Sequence, residues 1–191
     1  DAMLRAIRPD TRLVWIANPN NPTGTFLPYN QLKAFVAAVP SDVLVVIDEA
    51  YNEYIPQTER VDTAAWLAEF PNLVITRTFS KIYGLAGLRV GYAMASAEVA
   101  DLMNRVRQPF NCNNLAIAGA AAALEDEAFV DRSYALNRAG MEQIVCGLKR
   151  LGYAHIPSHG NFLAFNAGDA AALNQKLLKQ GVIVRPIAGC G

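Results

Sequence analysis

The sequence predicts an α/β fold, a mainly parallel sheet with flanking helices, followed by a smaller α+β C-terminal part. Three observations carry that prediction. Strand-length apolar runs alternate with segments whose apolar residues recur at helical spacing. Those runs are apolar throughout rather than alternating, the mark of strands covered on both faces. Three polar motifs each follow directly on such a run, at the strand ends where open α/β sheets bind ligands.

The elements follow in order. DAMLRAIRPDT reads as the tail of a helix, and LVWIA (13–17) as the first strand. Pro28 opens a helix with Leu32, Phe35, Val36 and Val39 at helical spacing. DVLVVIDEAY (42–51) is a buried strand ending in acids, WLAEF (66–70) closes a second helix, and NLVITRTF (72–79) and VGYAMA (90–95) are further strands. Helices are predicted over Ala97 to Arg107, Asn114 to Leu124, Glu127 to Leu151 and Ala170 to Gln180. Short strands are predicted around Tyr153 to Ile156, Phe162 to Phe165 and in VIVR (182–185). The change of character divides the chain into residues 1–127, part of a large domain, and 128–191, part of a small one. The two ends read as those of a fragment.

Composition excludes several function classes. The 191 residues are 52% hydrophobic and 18% charged, enough for a sizeable core, and the net charge is zero. Zero charge with scattered basic residues argues against nucleic-acid or membrane-surface binding. No apolar run is long enough to span a bilayer as a helix. Three cysteines, Cys112, Cys146 and Cys190, have no metal-type spacing and read as free thiols in a reducing cytoplasm. Two histidines, His155 and His159, are too few for a His-rich metal site.

The chemistry lies in the three motifs. NPNNPTGT (18–25) is a rigid turn, because proline fixes φ and holds the preceding residue extended. Asn21 within it carries an amide able to donate to a ligand oxygen; its residue types equally suit a tight turn alone. In DEAY, Asp48 leaves the sheet edge where a carboxylate needs a positive partner. A protonated pyridine nitrogen would serve, with Tyr51 donating its phenol to the same ligand; helix capping by Asp48 or Glu49 is the other reading. In RTFSKIYGLAGLRVGY (77–92), Thr78, Ser80, Arg89 and glycine-freed amides are the ingredients of a phosphate cradle. Lys81 sits inside that cradle with no acid in the stretch, and its apolar flanks predict a half-buried amine able to act as a nucleophile. A solvated Ser-Lys turn with Arg89 in a surface ion pair is the alternative. Together the motifs supply a nucleophilic amine, a phosphate cradle, an acid for a ring nitrogen and donors for a ring oxygen, the partners of pyridoxal phosphate.

With NPNNPTG, DEAY and TFSKIYGLAGLRVGY in order, the chain resembles the fold-type-I pyridoxal-phosphate aminotransferases, and within them the histidinol-phosphate branch. The resemblance runs on through RQPFNCNN, SHGNF and GVIVRPIAGCG. It implies that Lys81 binds the cofactor aldehyde and moves the proton between substrate Cα and cofactor C4′. It implies that Asp48 holds the pyridine nitrogen protonated, Asn21 and Tyr51 hold the ring oxygen, and Thr78, Ser80 and Arg89 hold the phosphate. Arg185 is implied near a phosphorylated substrate side chain, and Asn161 near the substrate carboxylate. The family's homodimer, with sites shared between subunits, is implied as well.

There are departures. Gly189-Cys190-Gly191 stands where the family usually has Gly-Tyr-Gly. The family's carboxylate-binding arginine, its N-terminal glycine-rich turn, its ring-stacking aromatic and the tyrosine lent across the dimer have no counterpart in the sequence. The 191 residues alone are therefore expected to transaminate poorly. The same scaffold resembles aromatic aminotransferases, threonine-phosphate decarboxylase and the effector domains of some transcription regulators. A structural relic with an unliganded lysine is disfavoured by the presence of Asp48, Tyr51, Lys81 and Arg89.

Overall fold

The computed structural model describes residues 2–187. Four strands form one sheet in the order β1-β2-β3-β4: β1 (Leu13–Ala17), β2 (Leu44–Asp48), β3 (Leu73–Thr78) and β4 (Gly91–Ala95). The first three are parallel, with Ala17 opposite Asp48 and Asp48 opposite Thr76. β4 is antiparallel to β3, with Thr78 opposite Gly91. Its reversal has a local cause. Between β3 and β4 the chain makes only a three-residue 3₁₀ turn, Ala86–Leu88, and has no crossover helix to carry it back to the start of β3.

Burial separates the strands. Val45, Val46 and Ile47 of β2 and Leu73, Val74 and Ile75 of β3 are buried. Leu13 and Trp15 of β1 are exposed, so apolar composition on both faces does not mean coverage on both faces at the edge. Among the described residues, only the two central strands have the two-sided burial that their sequence predicts.

Helix α1 (Ala2–Ala6) precedes β1. α2 (Tyr29–Ala38) begins after Pro28 and drives Leu32 and Val36 into the main core with Val45, Ile47, Leu73, Ile75 and Trp66. The segment expected to close a second α-helix is instead a 3₁₀ helix, Thr63–Ala68, started by the Asp62 carboxylate, which accepts from the Ala64 N–H at 3.1 Å. With Pro71 close behind, the run is too short to nucleate an α-helix.

The remaining helices match expectation within a residue or two at each end. They are α3 (Ala97–Val106), α4 (Asn114–Glu125), α5 (Glu127–Arg150) and α6 (Ala170–Leu178). Each starts at a side chain that accepts a free amide: Ser96, Asn113, Asp126 and Asp169. The alanines of α4 let it lie close to the chain, with Ala116 and Ala120 buried against Phe79 and Val90.

The α+β layer at the C-terminus is thinner than predicted. The two pieces around residues 153–156 and 162–165 pair through a single bridge, His155↔Phe165, and form no strands. VIVR (182–185) is exposed and not a strand. Its β-branched residues suit a pleated surface, but no neighbour among the described residues pairs with it. Gly189, Cys190 and Gly191 lie outside the described residues.

Leu32 is fully buried between α2 and the sheet. Leu32→Ala is expected to lower the unfolding free energy by about 2–5 kcal/mol, read from the urea midpoint.

Candidate functional site

Parallel pairing puts the C-terminal ends of β1, β2 and β3 on one edge. The 18–25 loop leaves β1 there, DEAY leaves β2 and TFSK leaves β3. Antiparallel β4 starts opposite Thr78, which returns Arg89 to the same edge. All three sequence motifs therefore converge.

The 18–25 loop is held from within. Asn18 is buried; its side-chain amide donates to the Leu27 carbonyl at 3.0 Å and its carbonyl accepts from the Leu27 N–H at 2.7 Å. Its backbone N–H donates to the Asp48 carbonyl at 2.9 Å, tying the loop to the end of β2. Both Asn-Pro bonds are cis. From this frame the Asn21 amide donates to the Tyr51 hydroxyl at 2.9 Å, joining the first motif to the second. The Lys81 ammonium lies 5.3 Å from the Tyr51 ring centroid, joining the third. Contact over the ring face favours a cation there.

Lys81 itself is exposed, which corrects the half-buried setting predicted from its apolar flanks. The flanks do go inside, since Phe79 and Ile82 are buried. The turn between them points the lysine outward. Among the described residues no carboxylate lies within 4.0 Å of Lys81, as the absence of an acid in its stretch suggested.

Asp48 is half-buried at the last residue of β2, and its Oδ1 accepts from the Ala50 N–H at 3.1 Å. It does not cap a helix: the following 3₁₀ turn, Asn52–Tyr54, starts at Tyr51 without a side-chain cap. Thr78 Oγ1 accepts from the Ser80 N–H at 3.1 Å. The Arg89 guanidinium donates to the Ala86 carbonyl at 2.8 Å and to Ser80 Oγ at 3.4 Å. Arg89 has φ of 54°, a left-handed backbone uncommon for a side-chain-bearing residue. Among the described residues no acid lies within 4.0 Å of Arg89, which contradicts the surface ion pair that was its alternative reading.

SHGNF docks on the first loop. The His159 N–H donates to the Gly24 carbonyl at 2.8 Å, and Phe162 packs edge-on to Tyr51 with centroids 5.0 Å apart. Gly24 has φ of 75°, and a Cβ there would collide with the Ser158 side chain. Asn161 is exposed. Arg185 is exposed on a cleft of about 390 Å³ that Asn21, Phe162 and Leu173 also line. It shares a cleft with Asn21, whereas Thr78, Ser80 and Arg89 do not line it.

Sequence reasoning missed a buried polar layer behind the edge. Glu49 is 1% exposed; Arg77 Nη2 and Nε both reach its Oε2 at 2.8 Å. The Thr63 hydroxyl donates to Oε1 at 2.6 Å. The only signal was a second acid after a wholly apolar run. Burial weighs against the Arg77 charge, but Glu49 outweighs it and holds the guanidinium above its ordinary range. Burial and then Glu49 push the Tyr29 phenol up to about 12. Burial likewise raises the Glu53 carboxyl.

Residues 1–191 match the aminotransferase class I and II family, and the chain belongs to it. Within that family it is similar to histidinol-phosphate aminotransferase 1 of Dechloromonas aromatica (strain RCB), 74% identical over 191 residues, which are 100% of this chain and 53% of that protein. It is also similar to the histidinol-phosphate aminotransferase of Sinorhizobium meliloti, solved in complex with pyridoxal-5'-phosphate. That match has a TM-score of 0.85 at 33% identity, over 93% of this chain and 50% of that one. The L-threonine-O-3-phosphate decarboxylase of Porphyromonas gingivalis has a TM-score of 0.82 at 27% identity, over 95% of this chain and 56% of that one. The chain spans about half the length of the curated relatives it matches.

Gly24→Ala is expected to cost about 1–3 kcal/mol from its left-handed backbone alone, and more from the Ser158 collision. A lowered melting temperature, partly recovered by adding Ser158→Gly, would check this. Glu53 favours its protonated form in the fold, so its stabilising contribution is complete below its ordinary value of 4.5 and is lost as pH rises above it. The stability of Glu53→Gln relative to the parent should therefore improve between pH 4 and pH 7, measured by urea unfolding at each pH.

Proposed function

We propose that this chain carries the cofactor site of a pyridoxal-phosphate-dependent aminotransferase of the histidinol-phosphate type. The observation that carries the reading is the convergence of Asn21, Tyr51 and Lys81 at one sheet edge, beside the Thr78, Ser80 and Arg89 cluster. The 74% identity to a histidinol-phosphate aminotransferase supports the substrate class.

The residues present fit the cofactor. Thr78, Ser80 and Arg89 offer hydroxyls and a guanidinium to its phosphate. Asp48 offers a carboxylate to the ring nitrogen, and the Asn21–Tyr51 pair offers donors to the ring oxygen. Bound pyridoxal phosphate supplies an aldehyde and an electron-withdrawing ring that weakens the Cα–H bond of an attached amine. Lys81 would be the amine that holds the aldehyde, and its Nζ would take up the proton from substrate Cα. Its place over the Tyr51 ring keeps Nζ beside the ring-oxygen donors. Arg185 suits a phosphorylated substrate because a guanidinium binds phosphate by paired hydrogen bonds. Asn161, in the GNF segment, is the weaker candidate for the substrate carboxylate.

In this reading the whole protein exchanges an amino group between histidinol phosphate and 2-oxoglutarate by a ping-pong route, as a cytoplasmic homodimer. Residues 1–127 belong to its large cofactor-binding domain and 128–191 to the small one. Zero net charge supports partners that are small molecules rather than nucleic acid or membrane. No helix among the described residues is long and apolar enough to cross a membrane. A second reading, phosphothreonine decarboxylation, is favoured by the Porphyromonas gingivalis likeness.

Borohydride reduction of the protein expressed from its complete reading frame should leave a phosphopyridoxyl group on Lys81, located by peptide mass. Lys81→Ala should lose it and slow amino transfer roughly 10²–10⁴-fold. An unmodified Lys81 would refute the cofactor assignment. Release of carbon dioxide from phosphothreonine, without amino transfer from histidinol phosphate, would favour the second reading.

A further inference from the structure

Glu49 and Arg77 have no part in the chemistry just described, yet they are the most deeply buried opposite charges in the described chain. Arg77 approaches one carboxylate oxygen with two nitrogens, each at 2.8 Å, and Thr63 holds the other oxygen at 2.6 Å. Tyr92 of β4 stands opposite Arg77 in the β3–β4 pairing. The cluster thus links β2, β3, β4 and the 3₁₀ helix Thr63–Ala68.

Its position along the strands is informative. Glu49 follows Asp48, and Arg77 precedes Thr78. The Glu49 N–H donates to the Thr76 carbonyl at 2.9 Å, so the pair lies across the last ladder step between β2 and β3. Side chains alternate along strands, which sets Glu49 and Arg77 on the opposite side of the sheet from Asp48 and Thr78. The pair therefore touches none of the site residues' functional atoms. It acts on them through one peptide unit on each strand.

A buried ion pair is a poor source of stability, since apolar residues of similar volume commonly hold a fold as well or better. What a planar guanidinium on a carboxylate adds is direction. Here that direction sets the angle and register between two strand ends. One end carries Asp48 and Tyr51; the other carries Thr78, Ser80 and Lys81. A rigid ring held from both ends needs its partners within about 0.5 Å of the productive geometry. We infer that Glu49 and Arg77 are positioning residues, which hold the two halves of the cofactor site in register from behind the sheet.

The inference rests on the cofactor reading, and its test separates the two. Glu49→Gln, Arg77→Lys and the double variant Glu49→Leu/Arg77→Met are made in the protein expressed from its complete reading frame. Each is freed of cofactor and its melting temperature measured. Each is then titrated with pyridoxal phosphate below its melting range, following the absorbance of the bound cofactor. The double variant should melt close to the parent yet bind the cofactor at least tenfold more weakly, with a shifted absorbance band. Arg77→Lys, which keeps the charge and loses the fork, should also bind more weakly. Parental affinity in the double variant overturns the inference and leaves the cofactor reading standing. If the double variant does not fold, Glu49→Gln decides: tenfold weaker binding supports the positioning role, and parental affinity overturns it. A parent protein that binds no pyridoxal phosphate overturns both.

Discussion

The parallel pairing of β1, β2 and β3 is the constraint on which the site depends. It makes three successive strands deliver their C-terminal ends to one edge, in the register Ala17, Asp48, Thr76. Residues sixty positions apart, Asn21 and Lys81, are then separated by a single tyrosine. Antiparallel β4 serves the same end. Had β4 returned through a crossover helix, Arg89 would start from the opposite edge, away from Ser80.

Adjacent acids at the end of β2 have opposite surroundings for a simple reason. Strand side chains alternate, so Asp48 and Glu49 cannot face the same way. Glu49 turns toward Thr63 and Arg77 and is almost wholly buried, with every oxygen engaged. Asp48 stays half-buried, with only a turn amide on it. One carboxylate is used up inside the protein, and the other stays at the sheet edge beside the site.

Tyr51 is the meeting point of the chain's parts. It accepts from Asn21, lies under Lys81, packs edge-on against Phe162 and shares a buried cluster with Tyr54 and Ile82. Val130 and Tyr134 of α5 close the same cluster from the C-terminal side. Gly24 supplies the second join, because only a residue without a Cβ lets the 18–25 loop meet Ser158.

The motifs and most of the elements were legible in the sequence because they are local. Apolar period, proline and glycine placement and capping residues all act within a few residues of chain. The helices from α3 to α6 and the four strands were readable on those terms, as were the motifs that bring Asn21, Asp48, Tyr51 and Lys81 to one sheet edge. The three-dimensional structure decided what depends on partners far along the chain. It made β4 antiparallel, left VIVR without a strand to pair with, turned Lys81 outward from its buried flanks, and chose Glu49 rather than Asp48 for the internal ion pair with Arg77. Strand pairing, exposure and ion-pair choice are set by which distant groups arrive at the same place, and no local pattern of residue types carries that information.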